Sequence, residues 1–158
     1  MKILRIATLV AFPIWAMGCG EPDKNGAPPP PAPSDNPPAL SPEEAAANRD
    51  FVEKRMARLE EIDLAFEQRG FADEEFDPAK PQTYLRQAAS ALREIAERPP
   101  FSDPAKALAF SLAAKEAAEE LASLAARPQA DRTRARQDYA LMHSHLAEIQ
   151  KTLARSPD

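Results

Sequence analysis

Proline decides most of what this chain can become. Of its 17 prolines, nine fall between Glu21 and Pro42, including the run Pro28-Pro29-Pro30-Pro31. Beyond Pro42 they return only at Pro78, Pro81, Pro99, Pro100, Pro104, Pro128 and Pro157. Proline lacks an amide hydrogen and its ring collides with the preceding turn, so helix interiors exclude it while first turns accept it. The spacing therefore divides the chain into a proline-crowded front and a series of long proline-free segments joined by short, proline-marked breaks.

Each of those segments carries helical periodicity. The first opens with Ser41-Pro42-Glu43-Glu44, a capping box with proline at the first helical position. Its apolar residues Phe51, Val52, Met56, Leu59, Ile62 and Phe66 recur at spacings of three and four. Gly70 is expected to end it in a left-handed cap, with Phe71 folding back on the last turn. A second helix is expected from about Pro81 to Glu97, with Tyr84, Leu85, Ala88, Ala89, Leu92, Ile95 and Ala96 inward. Asp103-Pro104 starts a third, whose inward stripe reads as Leu108, Leu112, Leu121, Leu124 and Ala125. The fourth begins near Asp131 and sets Ala135, Tyr139, Met142, Leu146, Ile149 and Leu153 along a bundle seam. Four amphipathic helices with mostly short connections predict an all-α, up-down-up-down four-helix bundle over residues 43–155. Abundant alanine raises helix propensity and leaves a thin core with few aromatics.

In that topology the connections after the first and third helices meet at one end. Asp73, Glu74, Glu75 and Asp77 lie on the first connection, and Arg127, Arg132, Arg134 and Arg136 on or just after the second. Opposite charges at one tip would pin the long 70–80 loop, with Phe71 and Phe76 sealing the bundle beneath. Asp73, Glu74, Glu75, Arg127, Arg132 and Arg134 are thus the candidate interaction surface, the alternative being two solvated charge runs. As exposed pairs they would stabilise by no more than about 1 kcal/mol each.

Ahead of the bundle, Glu21 to Pro42 holds hardly a large apolar side chain apart from Leu40. Such a segment cannot bury enough surface to offset its ordering entropy, so a disordered but stiff linker is expected. At about 3.1 Å per residue, roughly twenty residues reach on the order of 60 Å. Further forward, Lys2 and Arg5 precede an apolar run from Ile6 to Met17 broken only by Thr8 and Pro13. About a dozen residues is well short of the roughly 20 that span a bilayer. The pattern reads as a secretory signal over residues 1–18.

The stretch Ala16-Met17-Gly18-Cys19 resembles the lipobox of bacterial lipoproteins. The resemblance implies lipid on the Cys19 thiol and cleavage that leaves Cys19 as the new N-terminus, with residues 19–42 forming the lipidated linker. It implies a cell-envelope location, and Gly20 after the cysteine points to the outer membrane facing the periplasm in a Gram-negative host. Several acyl chains on one cysteine meet the two-signal requirement for stable anchoring. No second cysteine exists, so no intramolecular disulfide can form.

Charge narrows the partners. The formal net charge is −5, and removing residues 1–18, which contribute Lys2 and Arg5 and no acid, makes it −7. A chain that acidic repels nucleic acid and anionic lipid, so neither is expected as a general partner. No Cys-x-x-Cys, His-Glu-x-x-His, glycine-rich phosphate loop or serine–histidine–acid set is present. His143 and His145 are the only histidines. Two residues apart on a helix they point about 200° away from each other and cannot share one metal ion.

In helix number, alanine richness and loop style, residues 43–155 resemble cytochrome c-prime type four-helix proteins, without that family's Cys-x-x-Cys-His haem attachment motif. A noncovalent haem would have Met56 and His145 as ligand candidates, but methionines on such stripes are usually core filler, and no cofactor is expected. The leading expectation is a lipid-anchored, non-enzymatic envelope protein whose bundle binds an envelope protein partner. The alternative is a periplasmic ligand- or metal-binding module using His143, His145 and the acidic loop.

Overall fold

The computed structural model describes residues 39–71, 76–128 and 131–155. Four helices follow one another: α1 (Pro42–Arg69), α2 (Ala79–Ala96), α3 (Pro104–Ala125) and α4 (Arg132–Arg155). Together they form an all-α four-helix bundle. Among the described residues no helix is long and apolar enough to cross a membrane.

Each helix starts where a short polar side chain can pair its free amides. The Ser41 amide donates to Glu44 Oε2 at 2.9 Å, and the Glu44 amide donates back to Ser41 Oγ at 3.2 Å, completing the capping box. Ala79 donates to Asp77 Oδ1 at 2.9 Å. α2 begins two residues ahead of Pro81, with Pro78 at its N-cap, and the missing amide of Pro81 falls harmlessly in the first turn. Asp103 Oδ1 accepts from the amides of Ala105 and Lys106 at 2.8 and 3.0 Å. Asp131 Oδ1 accepts from the Arg134 amide at 2.9 Å at the start of α4.

Cross-helix polar bonds fix the direction of every neighbour. Asn48 and Arg55 of α1 reach Pro99 O and Glu94 at the other end of α2, at 3.1 and 2.6 Å. Ser111 near the start of α3 donates to Ala96 O at 2.7 Å, while Gln82 at the start of α2 donates to Arg127 O beyond α3 at 2.9 Å. Glu60 and Asp63 of α1 meet Gln150 and His143 of α4 at 2.8 and 3.0 Å. In each pair one number rises as the other falls, so sequential helices are antiparallel and α4 returns against α1. That is the up-down-up-down order.

The core contains Val52, Met56, Leu59, Ile62 and Phe66 from α1, and Leu85, Leu92 and Ile95 from α2. Packing is most extensive between α2 and α3. Alanine allows it: Ala88, Ala89 and Ala91 of α2 and Ala107, Ala114, Ala117 and Ala118 of α3 are all buried, and residues that small let two backbones approach closely. Rings close both ends. Phe101 and Phe110 stack edge-on at 5.5 Å where α2 turns into α3. At the opposite end Phe66 lies 5.4 Å from Tyr84, 5.3 Å from Tyr139 and 6.1 Å from Phe71.

Three sequence expectations need correction. Gly70 is not left-handed: its φ is −70° and ψ −24°, right-handed helical values. Glycine is required there because a Cβ would sit 2.2 Å from Cδ2 of the Phe66 ring. Leu108 and Leu112 do not face inward but are 47% and 57% exposed, and the α3 core stripe is built on Ala107, Phe110, Ala114, Ala117 and Ala118 instead. On α4 the buried position is Asp138, 3% exposed, while Tyr139 is only half-buried.

Candidate interaction surface

The end of the bundle where α3 connects to α4 concentrates arginine. Asp73, Glu74 and Glu75, the expected acidic partners, lie outside the described residues, as does Cys19. What is described is a basic rim. Arg127, Asp131, Thr133 and Arg134 surround a shallow depression of about 510 Å³. On the same helix, the Arg136 guanidinium sits 5.6 Å from the Phe71 ring, which in turn stacks edge-on against Tyr139 at 5.7 Å. The loop after α1 is therefore tied to α4 by a cation over a ring, and Phe71 does fold back on the last turn of α1. Phe76 is half-buried.

The four arginines play different parts. Arg134 Nε bonds Asp138 Oδ1 at 3.2 Å, one turn along α4, and the carboxylate it holds is buried. Arg134 is thus tied into the structure as much as it is presented to solvent. Arg127 contributes backbone, donating to Leu124 O at 3.1 Å and accepting from Gln82, while its side chain is exposed. Arg132 is half-buried at the first turn of α4. The sequence signal for Asp138 was present but outweighed: it fits the stripe Ala135, Asp138, Met142, Leu146, Ile149, and it stands four residues after Arg134.

The two histidines diverge as helix geometry requires. His143 Nδ1 pairs with Asp63 Oδ2 on α1 at 3.0 Å, and His145 Nε2 with Glu120 Oε2 on α3 at 2.9 Å. They tie α4 to both neighbours. Met56 is buried in the core, whereas His145 is turned to α3. Among the described residues no group of three or more histidine, cysteine or acidic side chains is disposed to hold a metal ion. Burial, with the nearby carboxylates of Asp63 and Glu67, raises the Tyr139 phenol above its ordinary value, so the hydroxyl keeps its proton at neutral pH.

A second surface was not visible in the sequence. Along the outer side of α3, Leu108 and Leu112 stand one turn apart with Ala105, Ala109 and Ala113 exposed beside them. Concavities of about 370 and 290 Å³ flank this strip, both lined by Glu97 and Ser111. Leu64, the other large exposed apolar residue among those described, is on α1.

The class these features define is an alanine-rich antiparallel four-helix bundle with an arginine rim at one end and an apolar strip along α3. No protein-family model matches the chain, and no curated protein or solved structure shows significant similarity to it.

Proposed function

We propose that this chain is a lipid-anchored protein of the bacterial cell envelope whose helical bundle is a non-enzymatic interaction or accessory module. The observation that carries the reading is the order of segments in the sequence. A basic start and a short apolar run end at Ala16-Met17-Gly18-Cys19, and a proline-crowded stretch then leads to the bundle. A short apolar run of that kind addresses a chain for export without spanning the bilayer. The acylated cysteine holds the protein at the membrane, and a stiff linker carries the bundle away from it. With Gly20 after the cysteine, the membrane is the outer one, and the bundle faces the periplasm, if the host is Gram-negative. The arginine rim and the α3 strip give such a module surfaces on which a protein partner can bind.

Fractionation of cells expressing the full chain tests the anchor. The wild-type chain is expected with the membranes and Cys19→Ala in the soluble periplasmic fraction; unchanged partitioning of the variant would refute the anchor. Crosslinking in the same envelopes tests the module: a reproducible envelope protein joined to the wild type is expected, and its retention after the bundle is deleted would refute the bundle's role.

A further inference from the structure

We draw no further inference here: the strongest candidate, the exposed apolar strip of Leu108 and Leu112 along the outer side of α3, is an unpartnered helix face, and nothing in the structure shows what covers it.

Discussion

Replacing Gly70 with alanine should destabilise the bundle, although backbone propensity alone predicts the opposite. Gly70 has ordinary right-handed φ and ψ, and its amide donates to Phe66 O at 2.8 Å. At such a position alanine narrows the unfolded ensemble and should add about 0.4–1 kcal/mol of stability. The added methyl, however, would lie 2.2 Å from Cδ2 and 2.7 Å from Cε2 of the Phe66 ring, and 2.6 Å from Phe66 O. Carbon atoms at rest stay about 3.5–4.0 Å apart, so the overlap exceeds about 1 Å. The ring has nowhere to go. It is fully buried, and Tyr84, Tyr139 and Phe71 hold it on three sides. Overpacking of a fixed core costs about 1–3 kcal/mol, which outweighs the propensity gain and leaves a net loss of roughly 1–2 kcal/mol. For a domain of this size that lowers Tm by roughly 5–10 °C. Thermal unfolding followed by far-ultraviolet circular dichroism reads the shift directly. The clash makes a second, sharper demand: combined with Phe66→Leu, which removes the ring, Gly70→Ala should cost at least about 0.5 kcal/mol less than it does alone. An unchanged or raised Tm for the single variant, or strict additivity in the pair, would refute the argument.

Two further outcomes separate structural from surface charge. Arg134→Ala removes the Nε bond to the buried Asp138 carboxylate and should cost about 1 kcal/mol in urea unfolding, whereas Arg127→Ala, whose side chain is exposed, should stay within about 0.5 kcal/mol. Equal effects would remove Asp138 from its assigned part. The helix caps predict the acid limb of stability. Backbone hydrogen bonding, from Ser41 to Glu44 and from Lys106 and Ala105 to Asp103, holds both carboxyls below their ordinary values. A depressed carboxyl contributes stability above its unfolded pKa, 4.5 for Glu44 and 3.8 for Asp103, and loses it as pH falls through the lower folded value. The stability gap between the wild type and Asp103→Ala should therefore be constant near neutral pH and narrow in acid; a gap that widens in acid contradicts the sign.

The helices were legible because their signals are local. Proline at 42 and 104, with Ser41 and Asp103 before them, fixes two starts within single residues, and the spacing of Val52, Met56, Leu59, Ile62 and Phe66 admits one inward face. The misses are of another kind. Gly70 does cap α1, but in a right-handed conformation, and what requires glycine there is the Phe66 ring against which a Cβ would press. Asp138 fits the inward spacing of α4, but a carboxylate is normally excluded from such a stripe, and that expectation outweighed the signal of Arg134 four residues before it.

The error on α3 has the most to say about function. An amphipathic helix declares its inner face by contrast, apolar against polar. Over residues 104–113, Lys106 and Ser111 are the only polar side chains of α3, so contrast is weak and residue size is the stronger guide. Size pointed to the leucines, but the bundle selected the alanines. Close packing of α2 on α3 needs small residues between the two axes, and Phe110 meets Phe101 edge-on where α2 turns into α3. The leucines are then left outside by the same close approach that makes α2 and α3 the tightest pair. A helix that satisfies its core with small residues and still carries large apolar ones outward has two faces that exclude water. The bundle uses only one of them.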